Sequence, residues 1–209
     1  MKNELRNLIS GKIKVSSGAL IQAIACYLKA CQKTGEVVKG DKHFQAEEAR
    51  CLKDYINHNN LWIDDFNASN YIAEGAEQKV YLIDGAHVIK LNDAIFYQYL
   101  WEDYLHSLLL HNYFFPDTAY ELEGFYEKDG IIYSVVKQPF VVASEKTNLE
   151  DVKEFMSANG FRNTRNNDYY NPELGLIIED LHDENVLTKD GMLYFVDTVF
   201  YIKEEFYID

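Results

Sequence analysis

The chain has 209 residues, 47% of them hydrophobic, which is enough for one packed domain with an appendage and excludes disorder throughout. Twenty Lys and Arg against 34 Asp and Glu leave a formal charge of -14, a surface that repels a phosphate backbone and argues against nucleic acid as a direct partner. Cys26, Cys31 and Cys51 are odd in number without metal-ligand spacing, and no apolar run is long enough for a bilayer, so the expectation is a cytoplasmic protein with reduced core thiols, neither exported nor membrane-bound.

Residues 1–62 read as a helical segment packed on the core of the remaining chain. Leu20, Ile24, Leu28 and Cys31 recur at helical spacing behind Ser16, Ser17 and Gly18, and the stretch from Phe44 to Ile56 repeats the pattern with Ala49, Leu52 and Ile56 on one face. Lys39-Gly40-Asp41 is the expected link, and Asn57 to Asn60 ends the second helix. From Tyr71 the period changes to two. Tyr71 to Ala76 and Gln78 to Ile83 predict paired strands, and Asp84-Gly85 turns the chain into Val88-Ile89-Lys90-Leu91. A helix is expected over 94–111, with Tyr97, Leu100, Tyr104 and Leu108 on one side, broken at Phe114-Phe115-Pro116. Two more strands, Tyr120 to Phe125 and Ile131 to Val136, flank the turn Lys128-Asp129-Gly130.

Past Gln138-Pro139-Phe140 a helix is expected over 148–158, capped by Thr147 or Asn148 and ended at Gly160, and Arg162 to Asn171 reads as a polar loop. Leu176-Ile177-Ile178 then leads into a polar stretch, and Lys189-Asp190-Gly191 joins Val186-Leu187 to the strand ending at Asp197.

The densest polar constellation is Asp180-Leu181-His182-Asp183-Glu184-Asn185, followed twelve residues later by Asp197. Two aspartates and an asparagine supply the hard oxygen ligands and the carboxylate base that Mg²⁺ with bridging phosphates uses. Lys90, set in an apolar strand, is the cation for those phosphates. Each has a plainer reading alone, Lys90 as a snorkelling edge lysine and Asp180 and Asn185 as turn caps, but their spacing with Asp197 favours a site. His182 reads as an internal hydrogen-bonding residue, and His106 and His111 are assigned no role.

The order of meander, strand lysine, helix, two strands, Asp-x-x-x-x-Asn and a downstream Asp resembles the protein-kinase superfamily, and Asp180-Leu181-His182-x-x-Asn185 is most similar to its aminoglycoside-phosphotransferase branch. More closely, the chain from about residue 70 resembles the kinase-like domain of polyvalent proteins from bacterial mobile elements, in Glu74 to Tyr81, Lys137-Gln138-Pro139-Phe140-Val141 and Asp180 to Leu187. The resemblance implies an α+β, reduced protein-kinase-like fold over 63–209: a five-stranded antiparallel N-lobe sheet with one helix, and a minimal C-lobe. It implies ATP and Mg, with Asp180 as the base toward the acceptor hydroxyl, Asn185 and Asp197 as metal ligands, and Lys90 on the phosphates, aimed by Glu102 or, second, Asp103. Gly75, Gln78 and Val80 belong to the implied ATP site, and Gln138, Phe140 and Val141 to its adenine edge. Since Pro139 has no N–H, an adenine bond there comes from Phe140, Val141 or a carbonyl.

Two departures from the family pattern carry expectations of their own. Ile178 stands where related kinases usually place His, and Thr198-Val199 replace Phe-Gly after Asp197, so activation-loop control is not expected. The helix usually packed beneath the catalytic loop, and everything after the metal aspartate, are expected to be missing. The expected activity is transfer of the γ-phosphate to a hydroxyl of a protein or small molecule. The alternative is a pseudokinase, a nucleotide-binding or protein-interaction module. No sequence feature points to an oligomeric state.

Overall fold

Three helices open the chain, α1 (Lys2–Ile9), α2 (Ala19–Gln32) and α3 (Lys42–Asn59). The structure, a computed structural model, describes residues 1–15, 17–32, 42–64, 71–74 and 78–208, so Ser16, the Lys39-Gly40-Asp41 link and Gly75 lie outside the described residues. Ile21, Ile24, Ala25 and Leu28 bury one stripe of α2, and Cys51, Leu52 and Ile56 one stripe of α3, as a period of 3.6 requires. Among the described residues no helix is long and apolar enough to cross a membrane.

The strands β1 (Tyr71–Glu74), β2 (Gln78–Leu82), β3 (His87–Asn92), β4 (Glu121–Lys128) and β5 (Ile131–Pro139) form one antiparallel sheet in the order β1-β2-β3-β5-β4. Strand β3 is central, and every residue from Val88 to Asn92 is buried. Helix α4 (Trp101–Phe114) packs against α2 and is buried nearly all round, polar side chains such as Glu102, His106, Ser107 and His111 included, as a helix enclosed on several sides is.

The helix expected from residue 94 starts only at Trp101. Asn92 Oδ1 accepts from Ala94 N–H at 2.7 Å and Asp93 Oδ1 from Ile95 N–H at 3.1 Å, local bonds that compete with a helix. Ala94, Gln98 and Tyr99 take left-handed backbone, with φ of 60°, 54° and 60°. Tyr97, buried in a short 3-10 turn, gave the helical period without the helix.

Helix α5 (Leu149–Ala158) begins at Asn148, whose side chain accepts from Glu150 N–H. The stretch 162–171, expected as a loop, is instead a hairpin of β6 (Arg162–Arg165) and β7 (Asp168–Asn171). Strand β6 is exposed throughout, so it carries no apolar alternation to read, and Asn166 turns the chain at φ 48°. The hairpin continues into β8 (Leu176–Glu179) and β11 (Val199–Ile202), a four-stranded sheet in the order β11-β8-β7-β6. Past Asp197, strand β11 pairs with β8 from Val199↔Glu179 to Ile202↔Leu176. Strands β9 (Val186–Lys189) and β10 (Met192–Phe195) form the expected hairpin at Asp190-Gly191.

One apolar cluster runs from Leu5 through α2, α3 and α4 to Phe200 and Phe206, so the helical segment shares a core with the strands. A smaller cluster of Tyr81, Ile89, Leu91 and Val135 packs elsewhere on the five-stranded sheet.

Candidate functional site

Strand β8 delivers Asp180. The strand is locked between β7 and β11 and Ile178 is fully buried, so the position where related chains carry His is here a core residue. Asp180 itself takes φ 67°, a conformation short polar residues tolerate, while Leu181 is buried in the core. The Asp180 carboxylate stays exposed but is oriented by one hydrogen bond and one close imidazole contact. Asn185 Nδ2 donates to its Oδ2 at 2.9 Å and to its backbone carbonyl at 2.9 Å. His182 Nδ1 accepts from Glu184 N–H at 3.2 Å, which leaves Nε2 as the protonated nitrogen facing Asp180 Oδ1 at 3.3 Å. His182 is thus hydrogen-bonded within its own loop, as expected, and also faces Asp180.

Asn185 also ties the loop to Asp197. Its backbone carbonyl accepts from Val196 N–H at 2.9 Å and from Asp197 N–H at 3.3 Å. Lys90 reaches the same segment from β3: Nζ donates to the Val196 carbonyl at 2.7 Å and lies 3.8 Å from Asp197 Oδ2. The lysine is buried and sits 5.4 Å from the Tyr120 ring centroid, so its charge is compensated by a carboxylate, a carbonyl and an aromatic face. Gln78, on β2, donates from Nε2 to Asp197 Oδ1 at 2.7 Å. Val80 pairs with Lys90 across β2 and β3 and is half-buried. The structure thus brings Lys90, Gln78, Asn185, Asp197 and, through Asn185, Asp180 together.

Glu102 lies in the first turn of α4, buried, with its carboxylate 3.8 Å from His106 Nε2. The α4 side chains that line the space beside Asp197 are Tyr104, Ser107 and Leu108. That space is about 10 Å³, room for a single water at most. At the expected adenine edge Gln138 is buried and donates to the Thr118 carbonyl at 2.7 Å. Phe140 N–H is taken by the Ala86 carbonyl at 2.7 Å, which leaves Val141 and the carbonyls for an adenine bond. A separate cavity of about 460 Å³ lies between the start of α2 and the β4–β5 pair, lined by Gly18, Leu20, His87, Tyr120, Lys137 and Pro139; none of Lys90, Asp180, Asn185 or Asp197 lines it.

Five residues to which the sequence assigned no role in the site complete the setting. The Tyr120 hydroxyl donates to the Val196 carbonyl at 3.0 Å, Thr118 Oγ1 to the Phe195 carbonyl at 2.6 Å, and Ser107 Oγ accepts from Phe200 N–H at 3.0 Å. His111 meets Thr198 at 2.7 Å. As a hard-oxygen donor set, Asn185 and Asp197 fit Mg²⁺, which is commonly bound by one or two carboxylates plus substrate phosphates. The bond from Asp197 N–H to the Asn185 carbonyl holds the two residues in one frame.

Compared with known proteins, residues 45–204 match the family model Kinase-PolyVal, described as a serine/threonine/tyrosine kinase found in polyvalent proteins. The match begins inside α3 and ends past β11. No curated protein and no solved structure matches the chain.

Proposed function

The chain belongs to this family of serine/threonine/tyrosine kinases found in polyvalent proteins, and from that premise we propose that it is a MgATP-dependent phosphotransferase acting on a hydroxyl of a protein or small molecule. The observation that carries the reading is the convergence of a buried lysine and a carboxylate, 3.8 Å apart, on a segment hydrogen-bonded to the Asp180–Asn185 loop. A lysine held in an apolar strand beside a carboxylate is poised to exchange protein acceptors for phosphate oxygens.

Each residue then has a task. Lys90 binds the α- and β-phosphates. Asn185 and Asp197 hold Mg²⁺, which supplies charge neutralisation across the phosphates. Asp180, fixed by His182 and Asn185, accepts the proton of the acceptor hydroxyl as its oxygen bonds to the γ-phosphorus and ADP leaves. Gln78 donates to Asp197 Oδ1, the oxygen that Mg²⁺ would need, so this bond would compete with metal. That same bond favours a second reading, a pseudokinase that holds nucleotide without transferring phosphate.

The test is thermal stability with and without MgATP for the unmodified chain, Lys90→Ala and Asp197→Ala. At a hundred times the dissociation constant, ligand stabilises by about 2.7 kcal/mol, a rise of several degrees in melting temperature. A rise confined to the unmodified chain is the expected result. No rise in any of the three would sink the nucleotide site, and a rise without phosphate transfer to any hydroxyl acceptor would leave the pseudokinase.

A further inference from the structure

The residue after Asp197 is hydrogen-bonded to a histidine that the reaction does not use. His111 is fully buried on the last turn of α4, and Thr198 and Thr118 beside it are buried as well. His111 Nε2 faces the Thr118 backbone carbonyl at 3.0 Å, and a carbonyl only accepts, so Nε2 carries the proton. Nδ1 is then an acceptor, and the Thr198 hydroxyl, 2.7 Å away, must be its donor. The direction of both bonds is fixed, and it runs from the metal-ligand segment into the helix and back to the chain that precedes β4.

Around this pair the whole segment is held. Phe195, Val196 and Phe200 have backbone groups bonded to Thr118, Tyr120 with Lys90, and Ser107 respectively. Asp197 N–H is bonded to the Asn185 carbonyl. Thr198 is the side chain through which α4 grips the residue next to the carboxylate. Resting on the phosphotransfer reading, we propose that His111 and Thr198 are positioning residues, which hold Asp197 in its metal-binding place before nucleotide arrives and make that place a permanent feature of the fold rather than a switched state. Valine at 198 would keep the shape and leave His111 Nδ1 buried without its donor. Serine would keep the donor and lose only a methyl.

The experiment uses the full chain and two readouts. Nitrogen-15 imidazole spectra report His111 without any ligand: the Nε2–H form, fixed by the Thr118 carbonyl, is expected in every variant, while the Nδ1 resonance of the unmodified chain is kept in Thr198→Ser and shifts to that of an acceptor without a hydrogen bond in Thr198→Val. Thermal stability at fixed ATP, titrated with MgCl₂, gives the half-maximal Mg²⁺ concentration. It should rise about tenfold or more in Thr198→Val, the usual effect of losing a residue that orients a metal ligand, and return to within about threefold in Thr198→Ser. Thr198→Ala, which removes the hydroxyl without adding bulk, is read the same way and serves where the valine variant does not fold. An unchanged Mg²⁺ titration in Thr198→Val or Thr198→Ala overturns the positioning role alone, as does a serine variant as impaired as valine. An unmodified chain whose stability ignores MgATP overturns the phosphotransfer reading and the positioning role with it.

Discussion

The Asp180 carboxylate takes one hydrogen bond, from Asn185 Nδ2, and has His182 Nε2 3.3 Å from its other oxygen, and these two contacts decide what a substitution should do. Asp180→Asn keeps the size and the Asn185 contact but cannot take a proton, so transfer should fall by about 10²- to 10⁴-fold while the MgATP-induced rise in melting temperature persists. Loss of the thermal response together with transfer would mean that Asp180 binds rather than catalyses. Lys90 was legible in the sequence as a cation in an apolar strand, and Asp180, Asn185 and Asp197 only together, by their spacing, since each alone reads as a turn residue or a strand end. Tyr120, His111 and Thr198 were not. Their bonds join residues 76 and 87 positions apart, and nothing local in the sequence marks a tyrosine or threonine that will meet such a partner.

At the scale of elements, α4 is where the site is anchored, and its start is capped from outside. Leu100, the N-cap residue, offers no side-chain bond, and Glu48 on α3 instead accepts from Trp101 N–H at 2.7 Å and Glu102 N–H at 3.3 Å. Burial pushes the Glu48 carboxyl up to about 7, against the pull of those two amides, with Glu102 and Asp103 adding to the rise. The folded protein therefore holds this proton more tightly than the unfolded chain, whose value is 4.5, so the contribution is fully present below about pH 4.5 and is lost as pH rises through 7. His111 acts the other way. Burial lowers it from 6.5 to about 3, so the unfolded chain takes its proton first and stability rises with pH between those values. Glu48→Gln should remove the first effect and leave the second, giving urea midpoints that climb from pH 4.5 to 6.5, where the two opposed effects are expected to hold the unmodified chain nearly level. Identical profiles for the two proteins would show that Glu48 keeps an ordinary carboxyl. The capping glutamate, buried on a helix face at Phe44-x-x-x-Glu48, could not be told from a solvated charge by its neighbours, just as the β6–β7 hairpin was hidden by its polar, exposed strand.

For the whole molecule the shared core sets the behaviour. Leu28 on α2 and Leu109 on α4 belong to one apolar cluster with Phe200 and Phe206, and α2 packs on α4. Truncating either leucine to alanine should cost about 2–5 kcal/mol and shift a single transition, with tryptophan fluorescence and far-ultraviolet circular dichroism falling together. Two separated transitions would mean that the helices fold apart from the strands. The order of five strands, with a helix between the third and fourth, could be read from the change of period and the turn residues between the elements. How the helical segment joins them could not, since an apolar stripe says that something covers it without saying what.

The two ends of the chain meet in this arrangement. Arg6 on α1 donates from Nε to the Phe206 carbonyl and from Nη2 to the Ile208 carbonyl, both at 2.6 Å, and Lys2 Nζ donates to Ile208 at 2.7 Å. A peptide of a few glycines would therefore close the chain into a ring, and a circular permutant could carry its new ends at the exposed Lys189-Asp190-Gly191 turn, far along the chain from Lys90 and outside the bonds that hold Asp197. By the same geometry, any polypeptide joined before Met1 and any joined after the last residue would depart side by side from one patch of the surface.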